Sequence, residues 1–481
     1  MNTITLSWIG LPFFVGFVIF IFPKLDRYLS LFAAFASAAY AAQLFLEPSP
    51  LTLVLLDNFG VTLQVDRLSG FFILTNAIVT ASVIFYCWYK GKTAFFYAQT
   101  IILHGSLNAA FVGSDFVSLY VALEVSGIAA FLLIAYPRTD RSIWVGLRYL
   151  FASNTAMLFY LVGAVLVYQS SYTFSFAGLS KAPTEAVALI FLGLLVKGGV
   201  FISGLWLPLT HSESETPVSA LMSGIVVKAG IYPLVRCALI VEELDPIIRI
   251  FGVGAALLGA SCAIFERDTK RMLALSTVSQ LGWIVAAPSV AGFYALTHGV
   301  VKSALFLTAS ALPSRDLKQL QQQPIDRSIW IVLVIASLSI SGFPLLSGFA
   351  AKTLTLKNLL PWQEIAMNVA AVGTAIAYAR FIFLRSQTPE KPKEKSPEQL
   401  GFWMAVILLL GGLVAANIAY LPAYTLANGA KAIAIVAVGW LAYWLVFQKT
   451  LLKLPRMLEE FDHLVGTMSL MLILVFWMVW L

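Results

Sequence analysis

Charge is scarce in this sequence. Only 11% of its 481 residues are Asp, Glu, Lys or Arg, and 60% are hydrophobic, whereas soluble domains carry about 25% charged residues. A chain this apolar cannot cover itself with polar surface in water, which excludes a soluble globular protein. Its apolar runs have the length of membrane-crossing helices, about 18–25 residues, whereas barrel strands would read as about 10-residue alternating segments. Cysteine is equally sparse. Cys87, Cys237 and Cys262 fall inside or at the edge of predicted spans, and their spacing fits neither a disulfide framework nor a metal site. There is no glycine-rich nucleotide loop, no haem-type histidine pair within one span and no nucleophilic triad, so no cofactor and no catalytic residue is expected. The connections hold no stretch large enough for a soluble domain. The net charge of +7 suggests nucleic acid at first sight. The basic residues sit mainly in short connections between apolar runs, which rules that partner out.

What is present is a series of apolar runs. Sixteen candidate spans centre near residues 14, 37, 78, 103, 126, 155, 197, 229, 255, 278, 302, 342, 374, 410, 439 and 472. The first run lacks a basic leader and a small-residue cleavage site, and reads as a retained span. The longest strongly polar stretch, "RSQTPEKPKEKSPEQ" over 385–399, reads as a solvated linker. The connections after odd-numbered spans hold 19 of the 31 lysines and arginines, those after even-numbered spans hold five, and seven lie within spans. By the positive-inside rule this bias predicts that both termini lie on the periplasmic or luminal side.

The seven basic residues within spans are Arg148, Lys197, Lys228, Arg236, Lys302, Lys352 and Arg380, joined there by Glu124, His104 and His298. An ionisable group in a membrane interior is costly, by about 2.5–3.5 kcal/mol for a central lysine on insertion scales. Arg148, Arg236 and Arg380 lie near span ends, where snorkelling to the interface explains them as well as function does. Lys197 stands mid-span and is followed by two glycines. Lys228 is also near mid-span. Lys352 follows "SLSISGFPLLSGFAA", where glycines and Pro344 invite a helix break. A broken membrane helix exposes backbone groups that need internal partners or water, and transporters place ion sites at such breaks. His298 and Lys302 lie four residues apart, on one helical face. They suit a proton relay, or a polar patch bonding a neighbouring helix. Glu124 is a candidate partner for one of the lysines. Glu213 and Glu215 in "HSESETP" read as a solvated acidic loop or as a cation-attracting entrance.

At these residues the chain resembles a family, the proton-translocating, antiporter-like subunits shared by respiratory complex I and Mrp-type cation/proton antiporters. The segments that carry the resemblance are "GSDFVSLYVALEV" (113–125), "WLPLTHSESETPVSALMSGIVVKAGIYPLVR" (206–236), "DTKRMLALSTVSQLGWI" (268–284), "THGVVKSALFL" (297–307) and "SGFPLLSGFAAK" (341–352). It runs from about residue 65 to 385.

The resemblance implies an all-α polytopic membrane protein of 14–16 helices, containing two inverted five-helix repeats with helices 7 and 12 broken. Its divisions would be N-terminal helices over 1–92, a first repeat over 93–242, a second over 243–386, and a C-terminal linker with helices 14–16 over 387–481. It also implies a proton pathway through Glu124, Lys197, Lys228, His298, Lys302 and Lys352. Glu124 and Lys197 would form a coupled ion pair, and Lys352 would release the proton. Arg148, His211, Glu213 and Glu215 are candidate modulators. The partners implied are other membrane subunits of an Mrp-type or complex I-like assembly, protons with Na⁺ as a candidate coupled ion, and the lipid of a bacterial-type inner (plasma) or thylakoid membrane. Lysine at 352 and the chain's length lean towards the D type of Mrp subunit. A pump module of a redox enzyme or hydrogenase, and a subunit energising carbon-dioxide or bicarbonate uptake, remain as alternatives.

Overall fold

The computed structural model describes residues 2–47, 49–56, 60–388, 396–448 and 460–480. The helices, in chain order, are α1 (Asn2–Ile21), α2 (Asp26–Leu46), α3 (Arg67–Cys87), α4 (Ala94–Ala110), α5 (Phe116–Ile134), α6 (Asp140–Ser171), α7 (Thr184–Gly198), α8 (Leu207–Glu213), α9 (Thr216–Leu221), α10 (Lys228–Ile240), α11 (Asp245–Phe265), α12 (Thr269–Val285), α13 (Ala291–Ala309), α14 (Leu317–Gln322), α15 (Arg327–Ser341), α16 (Ser347–Lys357), α17 (Pro361–Ile382), α18 (Pro397–Ala419), α19 (Leu426–Ala442) and α20 (Phe461–Trp480). Thirteen described helical stretches are long and apolar enough to cross a membrane. The three remaining expected spans fall on shorter helices, α4 and α12, of 17 residues each, and on the interrupted pair α15–α16. Each of the sixteen expected centres falls on one of these helical stretches. The protein is an all-α polytopic membrane protein.

The connections sort onto two faces. On one face the odd-numbered connections meet. Lys92 pairs with Glu215 at 2.7 Å and Arg141 with Glu213 at 3.2 Å, while Lys270 Nζ donates to the Ser214 carbonyl at 2.9 Å. The Leu317 N–H bonds the Arg267 carbonyl, Ile325–Asp326 pairs with Ser386–Gln387, and Gln321 bonds Tyr443. On the opposite face the even-numbered connections meet. Arg236 grips Asp66 at 2.5 and 2.6 Å. Arg249 Nη1 donates to the carbonyls of Ala286 and Asn358, and Lys431 pairs with Glu364.

Two crossings are broken, and by the same device. After α7 the Gly199 and Val200 N–H groups bond the carbonyls of Val196 and Leu195, and Gly199 takes φ +65°. After α15 the Gly342 and Phe343 N–H groups bond the carbonyls of Ser339 and Leu338, with Gly342 at φ +84°. This double bond with a left-handed residue is a Schellman stop, and glycine adopts that φ without a Cβ penalty. A third irregularity is a π-turn over Met222–Val226 between α9 and α10.

Three expectations need correction. The connection between α2 and α3 carries an antiparallel hairpin, β1 (Leu51–Leu56) with β2 (Gly60–Val65). The β-branched Thr52, Val54, Val61, Thr62 and Val65 favour pleated strands, although the fold otherwise reads as all-α. The 385–399 stretch is not a plain loop throughout. A short parallel pair joins β3 (Ile325–Asp326) to β4 (Ser386–Gln387), and α18 begins at Pro397. Residues 389–395 lie outside the described residues, as do Lys449, Lys453 and Arg456. Arg236 and Arg380 do not snorkel. Arg236 closes a buried ion pair that ties α10 to the start of α3, and Arg380 donates to the carbonyls of Ile264 and Glu266 at the end of α11. Burial raises the Asp66 carboxyl, but the bonds and charge of Arg236 and the Ser69 N–H outweigh it and hold it below the usual carboxylate value.

Candidate functional site

Lys197 occupies the last turn of α7, two residues before the stop at Gly199. Side chains beyond the stop add second donors to carbonyls that the Schellman bonds already use, and a donor to Val200: Ser203 Oγ donates to Leu195 and Val200, and Trp206 Nε1 donates to Val196. The lysine therefore does not serve its own helix end. It is 4% exposed and its side chain turns to α5 and α6, donating to the Leu123 carbonyl at 3.0 Å and Ser153 Oγ at 2.7 Å. Glu124 and Lys197, expected as a coupled pair, form no salt bridge within 4.0 Å among the described residues, and they interact through space while Lys197 donates to the carbonyl of the residue before Glu124. Glu124 Oε1 is shielded from solvent and has no hydrogen-bond partner. Arg148, on α6, is also buried, and none of its guanidinium nitrogens has a hydrogen-bond partner. An unpaired carboxyl oxygen of Glu124 on α5 and the unpaired Arg148 guanidinium on α6 thus lie on the two helices that hold Lys197.

Lys228 begins α10 immediately after the π-turn. A π-turn displaces carbonyls from the helical ladder, and Lys228 Nζ uses two of them, Ser223 at 3.3 Å and Gly224 at 2.5 Å. Helix α13 packs hard against this turn. A Cβ on Gly299 would come within 2.7 Å of the Gly224 carbonyl oxygen and 3.5 Å of Lys228 Cε. This close approach sets His298, the residue before Gly299, on the helix that abuts Lys228. Both ring nitrogens of His298 are buried without a partner.

Lys302, one turn further along α13, donates to the Leu273 carbonyl at 2.7 Å and to Tyr378 Oη at 2.9 Å. Tyr378 in turn shares a hydrogen bond with Ser276 at 2.9 Å. His298 and Lys302 share a helix face without bonding each other. A small cavity of about 10 Å³ lies between His298, Gln280 and Tyr294 on one side and Ser339 and Gly348 of the second break on the other, which is room for about one water.

Lys352 sits in α16 and reaches back to the break before it. Its Nζ donates to the Ser341 carbonyl at 3.3 Å and lies 5.1 Å from the centre of the Trp283 ring. It also lines a cavity of about 190 Å³ bounded by α16, α17 and α19, which contains Ser341, Lys357, Glu364, Asn428 and Lys431. Those last residues belong to the even-numbered connections or to helix ends beside them. Lys352 therefore opens to the face opposite the Lys92–Glu215 and Arg141–Glu213 pairs.

His211 lies in α8 near those two pairs, fully buried between Trp206 and Phe306. Glu213 and Glu215 are each held by a basic residue from another connection, which makes the acidic loop a tether across that face. His104 is a packing hub: its ring bonds Ser37 at 2.8 Å and Thr80 at 3.1 Å, joining α2, α3 and α4.

Sequence reasoning located the charged members and missed their neutral partners. Ser153, Tyr378 and Trp283 carry no charge that would mark them as anomalous in an apolar span. Glu364 and Lys431 had a weak signal, an acid and a base at the starts of α17 and α19, but nothing in the sequence joins them.

Comparison with known proteins places this arrangement. Residues 113–377 match the family Proton_antipo_M, described as NADH:quinone oxidoreductase/Mrp antiporter, TM. The chain is 28% identical over 453 residues to the D subunit of the Na⁺/H⁺ antiporter of Alkalihalophilus pseudofirmus, covering 85% of this chain and 91% of that one. It is 30% identical over 366 residues to the N subunit of the NADH-quinone oxidoreductase of Desulforudis audaxviator, covering 67% and 72%. A chain in the structure of the Mrp complex from Dietzia sp. has a similar fold, with a TM-score of 0.77 at 22% identity, covering 97% of this chain and 58% of that one.

Proposed function

Because the chain belongs to the NADH:quinone oxidoreductase/Mrp antiporter membrane family, we propose that it moves protons across the membrane as one component of a multisubunit Mrp-type cation/proton antiporter. The observation that carries this is how four lysines are held. Lys197, Lys228, Lys302 and Lys352 are buried, and each donates to a backbone carbonyl. Among the described residues, no ion pair within 4.0 Å involves any of them. Membrane-buried charges usually pair with one another or mark ion pathways. With neutral acceptors only, no fixed counter-charge locks the ammonium form. A neutral amine still donates to the same carbonyl, so a proton can leave and return without breaking the hydrogen-bond framework.

The route we infer begins at the basic face near His211. It passes Lys197, Lys228 and the His298–Lys302 face of α13, and ends at Lys352, whose cavity opens on the other face. Glu124 modulates Lys197 through space, and Arg148 acts as a fixed charge on α6, since arginine does not exchange its proton. Glu213 and Glu215 hold the entrance loop. The basic face is read as cytoplasmic by the positive-inside rule, which puts both termini on the periplasmic or luminal side of a bacterial-type inner or thylakoid membrane. The two repeats are assigned to 93–242 and 243–386, flanked by 1–92 and 387–481. Lysine at 352 and the likeness to an antiporter D subunit support the antiporter type.

The likeness to an oxidoreductase N subunit supports a second reading, a proton-pumping component of a complex I-like oxidoreductase. Neither relative favours carbon-dioxide uptake. The two readings separate in proteoliposomes of the intact assembly loaded with a pH-sensitive dye. The antiporter reading expects added Na⁺ to collapse an imposed pH gradient with no electron donor present. A gradient formed only when donor and quinone are supplied supports the second reading, and the absence of both responses overturns both.

A further inference from the structure

The cavity at Lys352 has an unusual lining for a mouth that opens towards solvent. Three lysines, Lys352, Lys357 and Lys431, face one acid, Glu364. That acid is already engaged, because Lys431 Nζ lies 2.9 Å from Glu364 Oε1. Lys431 and Asn428 come from α19, which lies outside the family-matched residues 113–377. Helix α19 thus supplies one wall of the cavity and the base paired with Glu364, the one carboxylate among the described lining residues.

We propose that this vestibule is an electrostatic filter that admits water and small anions to Lys352 and turns back alkali cations, with Lys357 and Lys431 as its specificity-determining residues. A hard cation needs oxygen ligands, carboxylate above all. The one carboxylate in the lining is held by Lys431, and Lys357 stands at the same mouth. A concave site with low-dielectric walls and charge of one sign concentrates ions of the opposite sign and excludes like ones. Even with Lys352 neutral, two lysines face one glutamate. The consequence rests on reading Lys352 as the last proton carrier. Its exchange with vestibule water then proceeds without competition from Na⁺, and any coupled Na⁺ movement runs through another path.

The test reads the filter without relying on transport. Asn428→Cys is made in a Cys262→Ala background; Cys87 and Cys237 are fully buried. In the intact assembly in mild detergent, thiol modification is timed with an anionic and a cationic methanethiosulfonate of similar size, each normalised to its rate with a free thiol. The filter expects the anionic reagent to react about tenfold faster. Adding Lys357→Glu and Lys431→Glu leaves one lysine against three glutamates and should reverse the order. Equal rates, or a faster cationic reagent without those two changes, overturn the proposal. So does lack of reaction with either reagent in both the Asn428→Cys variant and a second reporter variant, Ala432→Cys. Proton flux in Lys352→Ala is measured separately. Normal flux with preserved charge selectivity refutes the role of Lys352 and leaves the filter standing.

Discussion

At Gly199 and at Gly342 the chain stops a membrane helix with the same pair of backbone bonds, yet the lysine at the first break is enclosed and the lysine at the second opens to one face. The difference lies in which side chains reach the carbonyls around each stop. At the first break Ser203 and Trp206 donate to them, and Lys197 bonds α5 and α6. The second break has a weaker arrangement. The side chain of Lys352 comes back from α16 to take the Ser341 carbonyl, and this places the ammonium at the base of the vestibule. A helix break therefore does not by itself create access. Access follows from whether the lysine is recruited by neighbouring helices or by the break.

The largest contrast this predicts is in accessibility. Lys352→Cys should react with a small water-soluble thiol reagent about a hundredfold faster than Lys197→Cys, because reaching residue 197 requires local opening. Comparable rates would break the distinction between enclosed and open. Next in size is the cost of a methyl group at each stop. Gly199→Ala drives a Cβ into Leu207 Cδ1, in packed surroundings, whereas Gly342→Ala meets the movable Lys352 Cδ at 2.8 Å. Both also strain a left-handed residue. Thermal unfolding of the assembly should show Gly199→Ala to be the worse by about 1–2 kcal/mol.

A smaller effect separates the lysines' acceptors. Ser153→Ala removes one of two acceptors of Lys197, a loss of about 1–3 kcal/mol for a buried donor, and should slow proton flux about tenfold. Ser341→Ala keeps the carbonyl used by Lys352 and should leave flux within about twofold. Smallest of all is the entrance. Glu213→Gln with Glu215→Gln removes two partly exposed ion pairs, worth about 0–1 kcal/mol each, and should change flux less than twofold. A large loss there would revive the acids as a cation-attracting entrance.

The sixteen helical stretches were legible because each apolar run is long enough to read, and the two breaks because glycine and proline interrupt charge-bearing runs. The hairpin at 51–65 was not, since its residues are apolar enough to pass as part of a connection near the membrane. The lysines stood out by their cost. Their partners did not: Ser153 lies 44 residues from Lys197, and Tyr378 lies 76 from Lys302, and neither is charged. Glu124 and Lys197, paired by the family resemblance, interact through space, while the direct bond of Lys197 goes to the Leu123 carbonyl. Sequence places the acid on the correct helix turn, and only packing decides which oxygen meets the ammonium.

The most direct measurement is proton flux through the intact assembly carrying Lys197→Ala, with subunit composition checked in parallel. The account predicts that the complex assembles and that cation-driven proton movement is lost. Near-normal flux in an assembled Lys197→Ala complex would contradict it.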